Sequence, residues 1–214
     1  FLEIMKKAGV RTVCIGYESP VDEELKAMGK GYSSARMLAL TKIWRKYFRI
    51  HAMMIFGYPL KDVSVSISAA ERIKRLKDFL RKARPDTIQI LHPIPLAGTD
   101  LRRRLMEEGR VYSQDLVPWS KYDGSFVCFR PDNMSIKEFQ ESPMKLMKSF
   151  YTLWSIPKAI FRFSLPTIGF ARWHRGWWRE VLRTGARFLI QKWEKRQNAK
   201  LFIQDLENYN VKGE

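Results

Sequence analysis

Cysteine and histidine are scarce in this chain of 214 residues, which holds two cysteines and three histidines. Cys14 and Cys128 are too few and too far apart in sequence for a disulfide framework or a cysteine-rich metal site. We therefore expect no metal site made wholly from this chain, and a reducing, cytoplasmic compartment. Among the histidines, we expect His51 in a buried strand and His174 in solvent, so that only His92 is a candidate for a site.

Long apolar runs are also missing. No run approaches the roughly 20 apolar residues that a membrane span needs, and no signal peptide is visible. The chain opens at Phe1 in the middle of an amphipathic helical pattern, without an initiator methionine or a capping residue. We therefore expect a fragment whose N-terminal part is missing.

Acidic residues are outnumbered, with 22 Asp and Glu against 39 Lys and Arg and a formal net charge of +17. Between Lys158 and Lys200, eleven basic residues face only Glu180 and Glu194, so about half of the excess lies in this stretch. The first 150 residues predict an ordinary globular domain, whereas the tail predicts a segment that meets anions.

Strand and helix patterns alternate through the first half of the chain. The predicted strands are Thr12–Ile15, Ile50–Phe56 and Thr87–Leu91, and the predicted helices are Asp22–Met28, Ser33–Phe48, Ser66–Lys82 and Asp100–Glu108. This alternation predicts parallel βαβ units, which fit part of a (β/α) barrel or an open doubly wound sheet. We predict an α/β fold, a partial TIM-type barrel of about three βα units followed by a mainly helical C-terminal extension.

The later part of the sequence predicts helices. Ser135 and Glu138 form a capping-box signature that opens the first of them. The predicted helices run from Ser135 toward Ser155, from Pro157 to Phe163 and from Trp173 to Gln197. The sequence predicts three divisions of the chain. They are a barrel segment (1–112), a region with one helix (113–156) and a basic tryptophan-rich helical extension (157–214).

Unusual loops follow all three predicted strands. They are Gly16-Tyr17-Glu18-Ser19-Pro20, Gly57-Tyr58-Pro59 and His92-Pro93-Ile94-Pro95. Because ligands collect at the carboxyl ends of parallel strands, three such loops predict a site. Lys30 follows Glu18 by twelve residues. The negative charge of Glu18 suits the ammonium of a zwitterionic ligand, and the positive charge of Lys30 suits its carboxylate. Two alternatives stay open: a simple turn at Gly57, and Glu18 as an acid that stabilises the N-terminus of the next helix.

These motifs resemble the second half of the radical S-adenosylmethionine (SAM) barrel, in the branch of that superfamily that binds cobalamin (vitamin B12). The matching segments are Ile4-Met5-Lys6-Lys7-Ala8-Gly9, Gly16-Tyr17-Glu18-Ser19-Pro20, Leu25, Gly29-Lys30-Gly31, His51 to Pro59, Pro93-Ile94-Pro95 and Gly98-Thr99. Tyr122-Asp123-Gly124 and the helix start at Met134-Ser135 are similar to the region after the barrel. The resemblance covers roughly residues 1–150.

By this resemblance, Glu18 contacts the ribose or the amino group of SAM, and Lys30 contacts its carboxylate. Backbone around Gly57 and Ile94 lines the methionine and adenine portions. The cofactor-binding residues that the resemblance implies are Gly16, Glu18, Ser19, Lys30, Gly57, Pro59 and Ile94. No catalytic residue is assigned.

The resemblance also implies cofactors that this sequence does not hold. The cysteine triplet that binds the [4Fe–4S] cluster is absent, so we expect it upstream of Phe1 and expect this fragment to be inactive alone. A cobalamin-binding domain is also expected upstream, and whether cobalamin is used stays open. The implied reaction is radical methyl transfer or rearrangement on a hydrophobic, lipid-like or tetrapyrrole-like substrate, which would meet the loops between Val111 and Arg130. The loop Pro93 to Thr99 is longer than the family's Pro-Gly-Thr pattern.

Basic and apolar residues separate along the predicted helix of the tail, 173–197. Its basic row is Arg175, Arg179, Arg183 and Arg187, and its apolar residues are Trp177, Trp178, Val181, Leu182, Phe188, Leu189 and Trp193. This pattern is typical of a helix in an anionic lipid interface, here the inner face of the membrane. Packing on the barrel with a solvated arginine face stays open, and RNA is the least favoured partner. The alternative function is therefore a basic membrane- or RNA-binding module on an α/β scaffold.

Overall fold

Three parallel strands lie at the centre of the fold. The computed structural model describes residues 1–61, 64–151, 170–197 and 199–212. The strands β1 (Thr12–Glu18), β2 (Arg49–Ile55) and β3 (Thr87–Leu91) pair side by side in the order β1-β2-β3. The chain thus has a mixed α/β architecture with a small parallel sheet, as the alternating pattern predicts.

Eight α-helices occupy the described residues. They are α1 (Leu2–Lys7), α2 (Asp22–Ala27), α3 (Ser34–Trp44), α4 (Ala69–Ala83), α5 (Asp100–Glu107), α6 (Ile136–Phe150), α7 (Phe170–Gln197) and α8 (Ala199–Lys212). Within these ranges, no helix is both long enough and apolar enough to cross a membrane. The predicted helix from Pro157 to Phe163, and the predicted extension to Ser155, lie outside the described residues.

The bounds of several elements differ from the predicted ones. β1 continues to Glu18, since Gly16 still pairs with Met53 of β2. α3 ends at Trp44 rather than Phe48, because in the following turn the N–H groups of Lys46 and Tyr47 donate to carbonyls only three residues earlier (3.0 and 2.9 Å). Phe48 is then buried as the chain enters β2. The last helix, α8, was not predicted.

Helices cover one face of the sheet and leave much of the other face exposed. On the covered face, Ile50 and Ile90 are buried in one apolar cluster with Phe79 of α4. The opposite face, which we call the open face, carries Cys14, Gly16, His51, Met53, Thr87 and Gln89. Cys14 is exposed, and Met53 is 41% exposed. Since parallel strands are normally buried on both faces, this exposure is unusual.

The outer edge of β3 is closed by a side chain. The Tyr151 hydroxyl accepts a hydrogen bond from the Ile88 N–H and donates one to the Ile88 carbonyl, both at 2.6 Å. Burial raises the pKa of Tyr151 to about 12, so the hydroxyl stays protonated and can act as donor. Further along the edge, the His92 N–H donates to the Gly124 carbonyl (2.8 Å). These contacts replace a fourth strand on this side of the sheet.

The basic side of α7 packs against the protein rather than facing solvent. Arg179 Nε lies 2.9 Å from Asp86 Oδ1, just before β3, and Arg183 donates to the carbonyls of Pro85 and Asp86 (3.2 Å each). The expectation of a solvated arginine face is therefore wrong for these two arginines. The Asp86 carboxylate compensates the charge of Arg179, and two backbone carbonyls at the start of β3 accept the hydrogen bonds of Arg183. The helical pattern alone does not reveal these contacts.

Apolar residues of α7 are exposed instead. The exposed fractions are 38% for Leu182, 58% for Phe188 and 69% for Leu189. Elsewhere α7 contributes Ile190 to the main buried cluster, and α8 contributes Phe202. The same cluster therefore contains residues from all three predicted divisions of the chain.

Candidate functional site

A tight turn places Glu18 at the carboxyl end of β1. The Ser19 N–H donates to the Tyr17 carbonyl (2.8 Å), which closes a three-residue turn around Glu18. Glu18 has a φ of +60°, in the left-handed region that side chains other than glycine rarely adopt. The pairing with β2 also shifts between Gly16 and Glu18, forming a β-bulge. Such strained conformations are concentrated at binding and catalytic sites.

The turn directs the Glu18 carboxylate back over the open face. A Cβ atom built on Gly16 would lie 2.9 Å from Glu18 Oε1, so the carboxylate occupies the space that the missing side chain leaves. The Tyr32 hydroxyl donates to the Gly16 carbonyl (3.2 Å) on the same short segment. Gly16 is thus required for the position of the carboxylate.

Lys30 returns to this carboxylate after α2. The Lys30 N–H donates to the Leu25 carbonyl (2.9 Å), and Gly29 adopts a φ of +73°, which turns the chain back toward β1. Lys30 Nζ then lies 3.0 Å from Glu18 Oε1. The Lys30 side chain is 36% exposed and that of Glu18 is 21% exposed. The hydrogen bond to Glu18 raises the pKa of Lys30 and so favours its charged form. The exposure of both side chains leaves them reachable from solvent.

A buried polar cluster holds the residue that follows the turn. Ser19 is 1% exposed, and its hydroxyl donates to Glu24 Oε2. Glu24 also forms a buried ion pair with Arg72, whose Nε lies 2.7 Å from Oε1, and Arg72 donates to the Ile67 carbonyl. Burial raises the pKa of Glu24, while the charge of Arg72 and the hydrogen bond from Ser19 act in the opposite direction. Ser19 therefore supports the turn from behind and does not face the open side of the pair.

The loops after β2 and β3 contact the C-terminal part of the chain. Gly57 has a φ of +74°, and a Cβ atom there would lie 2.7 Å from Phe139 Cε2 of α6. Arg104 of α5 donates to the carbonyl of Pro59 (3.0 Å). Ile94 packs against the main apolar cluster. The structure thus joins Gly57, Pro59 and Ile94 to α5, α6 and the core, whereas Gly16, Glu18 and Lys30 meet directly.

His51 of β2 and His92, which directly follows β3, contact neighbouring polar groups. His92 is buried, with Nδ1 3.1 Å from the Gly124 carbonyl and Nε2 2.9 Å from the Phe139 carbonyl. Burial lowers its pKa and so favours the neutral ring, which can donate its single N–H to one of these two carbonyls at a time. His51 lies on the open face, with Nδ1 2.9 Å from Thr87 Oγ1, and burial lowers its pKa as well. This environment favours a structural role for His92 over the site role predicted from its position.

An apolar cavity of about 780 Å³ lies between the open face and α7. His51, Thr87 and Gln89 form its polar wall. The apolar lining comes from α6 and α7 and includes Met147, Val181, Leu182, Leu189, Ile190 and Trp193. The volume is within the range of small-molecule sites, which are mostly apolar with a few placed polar groups.

The cysteines do not fit an iron–sulfur cluster. Among the described residues, no group of three or more His, Cys, Asp or Glu side chains could hold a metal ion. Cys14 is exposed on the open face, whereas Cys128 is buried. Burial raises the pKa of the Cys128 thiol to about 12, which opposes the thiolate form that binds metals.

Two parts of the site were not predicted from the sequence. Tyr32 lies two residues after Lys30, and this proximity is the one signal that could have drawn attention to it. The pairing of Glu24 with Arg72 joins residues far apart in sequence, so no local pattern marks it.

Comparisons with known proteins add no relative to this description. No protein-family model matches the chain, and no curated protein matches it. Its function is therefore inferred from the residues themselves and from the motifs that they form.

Proposed function

We propose that this chain is the SAM-binding half of a radical SAM barrel, in a C-terminal fragment of an enzyme that acts on a hydrophobic substrate. The observation that carries the proposal is the charged pair of Glu18 and Lys30 at the carboxyl end of a parallel strand. A ligand with an ammonium and a carboxylate can replace this ion pair with two new ion pairs, one to each side chain. Glu18 then binds the amino group or the ribose of SAM, and Lys30 binds its carboxylate.

The energy of the existing pair favours this exchange. Both side chains are partly exposed, and an exposed ion pair contributes only about 0–1 kcal/mol to stability. Separating the two groups therefore costs little, while each retains a charge that is suited to one end of the ligand. The strained turn at Glu18 has a cost of its own, which a role for its carboxylate would explain.

The exposed sheet face supports the barrel. Parallel strands are found almost exclusively in sheets covered on both faces, yet Cys14 and Met53 of the open face are exposed. Further strands beside β1 would close a barrel around this face. The Glu18 carboxylate would then lie inside, at the carboxyl end, where barrel enzymes bind their ligands.

The apolar cavity supports a hydrophobic substrate. The cavity lies on the same sheet face as the Glu18 carboxylate, since Gly16 is in register with Met53 and His51 is two residues before Met53. From strand geometry, the α-carbons of Gly16 and His51 are about 8 Å apart. A substrate in the cavity could thus approach a ligand held by Glu18 and Lys30. The loops between Val111 and Arg130 remain the other predicted contact for the substrate.

The iron–sulfur cluster and cobalamin enter this proposal only through the resemblance. Cys14 and Cys128 do not suit the cluster, which would supply the electron that cleaves SAM, so we assign no residue of this chain to it. The proposal places the cysteine triplet in the coding sequence before Phe1. Determining that sequence is a direct test, and a barrel half without a cysteine triplet there would contradict the radical SAM assignment.

Calorimetric titration of SAM into the 214-residue chain tests the site itself. We expect saturable binding that Glu18→Gln and Lys30→Met each weaken severalfold, since each variant removes one charged contact. Gly16→Ala should weaken binding as well, because its methyl group displaces the carboxylate without straining the backbone. Lys26→Met, at an exposed position in the last turn of α2, is the matched control.

The titration has clear adverse outcomes. Equal affinity in Glu18→Gln and in the control would refute the role of the carboxylate. Absence of SAM binding by the chain and by a longer natural form that includes the upstream sequence would refute the SAM site altogether.

Contact with an anionic membrane surface is a second candidate function of α7, favoured by its exposed Leu182, Phe188 and Leu189. Basic helices with exposed apolar residues bind lipid interfaces. Flotation with anionic and neutral vesicles tests this contact, with an RNA gel shift as the comparison. Membrane binding would be supported if the chain floats with anionic vesicles and the double variant Leu189→Gln/Phe188→Gln floats less. A shift of RNA without flotation would favour the nucleic-acid alternative.

A further inference from the structure

A second cavity, of about 490 Å³, lies between the ends of α4 and α6 and the first half of α7. Five cationic side chains line it, and its described lining contains no carboxylate. The cations are Lys77, Arg81, Arg84, Arg179 and Arg183, and the other lining residues are Leu80, Leu146, Ser149 and Phe150. We call this cavity the basic cleft.

Nearby carboxylates compensate only part of the charge. Asp78 pairs with Arg81 (3.1 Å) and Asp86 pairs with Arg179 (2.9 Å). Glu180 is a further buried acid, next to Arg179 in sequence, that acts on Arg183. Three carboxylates near five cations leave two positive charges unmatched. Within the described part of the chain, no ion pair involves Lys77 or Arg84.

Arg183 is fixed in position at the wall of the cleft. It donates from Nε and Nη2 to two backbone carbonyls (3.2 Å each), and its guanidinium carbon lies 4.4 Å from the centre of the Phe150 ring. Burial lowers the pKa of Arg183, and the neighbouring charge of Arg179 lowers it further. An anion in the cleft would oppose both effects, since it adds negative charge to that of Glu180 and Asp86, which already raise this pKa.

We propose that the basic cleft binds the phosphate group of a small phosphate ester or of a phospholipid head group. Guanidinium groups from separate elements converge on one space, and their planar forks match phosphate oxygens better than they match a single spherical anion. The volume admits a phosphate together with the group that it esterifies. This site lies apart from Glu18 and Lys30 and does not depend on the SAM assignment.

Binding of inorganic pyrophosphate to the 214-residue chain at about 0.15 M salt tests the site by calorimetry. The test variant is Lys77→Gln/Arg84→Asn, which removes the two cations without a described acidic partner. Arg84 has a φ of +51°, a conformation that asparagine tolerates, so the end of α4 is preserved. The control, Lys7→Gln/Lys42→Gln, removes the same charge from exposed positions of α1 and α3. We expect at least about tenfold weaker binding in the test variant and little change in the control.

Vesicles of phosphatidylcholine with and without phosphatidic acid distinguish the two sources of phosphate. If the wild-type chain and the control float with vesicles that contain phosphatidic acid, and the test variant does not, the ligand is a lipid head group. Pyrophosphate binding that only the test variant weakens, without flotation, indicates a soluble ester. Equal weakening in the two double variants, or binding of neither probe, would overturn the proposal.

Discussion

The left-handed turn at Glu18 leads to an unusual order of stability between two substitutions. Glycine is normally less stabilising than alanine, by about 1 kcal/mol inside a helix, because it loses more backbone entropy on folding. At position 18 the φ of +60° should reverse this order. We expect Glu18→Gly to be more stable than Glu18→Ala.

The difference in the free energy of unfolding between the two variants follows from the contributions that they do not share. Both remove the carboxylate, so the loss of the ion pair with Lys30 cancels in the comparison. Alanine retains the left-handed strain of about 1–2 kcal/mol, which glycine relieves, and glycine adds an entropy cost of about 0.5–1 kcal/mol. The net advantage of glycine is therefore about 0–1.5 kcal/mol, or a melting temperature higher by up to about 6 °C for a chain of this size.

Urea denaturation followed by circular dichroism measures the difference, with the wild-type chain as reference. Lys42→Gly and Lys42→Ala, at an exposed position inside α3, are the matched control, where alanine should be the more stable by about 1 kcal/mol. If alanine is the more stable of the two at position 18, as it should be at position 42, the turn is not left-handed, and the strain that supports a functional role for Glu18 does not exist.

Three further predictions concern the supports of the site. Arg72→Met should destabilise the chain by about 3–5 kcal/mol, because it leaves Glu24 buried without its charge partner; urea midpoints measure this loss, and a loss below 1 kcal/mol would contradict the buried pair. Gly57→Ala should cost about 2–5 kcal/mol from its positive φ and its overlap with a ring of α6, whereas Gly109→Ala, also at positive φ but with open space around it, should cost about 1–2 kcal/mol in the same assay. The lowered pKa of His92 means that the unfolded chain binds a proton near pH 6 that the folded chain does not, so stability should fall as the pH drops below 6.5; an NMR titration of its imidazole with a midpoint at or above 6.5 would refute this.

Local patterns predicted the helices and strands well where they carry their own signals. β3 has the predicted bounds, and the capping box of α6 forms as expected, with Ser135 and Glu138 each accepting from the other's N–H. The spacing of Glu18 and Lys30 predicted their proximity, which the ion pair confirms. These features depend on residues close in sequence, whose geometry a turn or a helix largely determines.

Long-range packing could not be predicted in the same way. The direction of the α7 arginines depends on Asp86, which lies far away in the sequence. The same holds for Tyr151, whose hydroxyl bonds with Ile88 across 63 residues. A helical pattern separates two sides of a helix, but it does not determine which side meets the protein, since buried arginines with partners and exposed apolar residues both occur.

The Tyr151 hydroxyl, which occupies hydrogen-bonding groups at the β3 edge, has a consequence for self-association. Within the described residues, the other lateral edge of the sheet belongs to β1 and has no partner strand, although the Tyr32 hydroxyl contacts it at the Gly16 carbonyl. Two molecules joined through their β1 edges would leave no free edge for a third, whereas fibril growth needs two adhesive edges on every subunit. Strand-to-strand aggregation of this chain should therefore stop at pairs, and polymers should form only once Tyr151 has left its place.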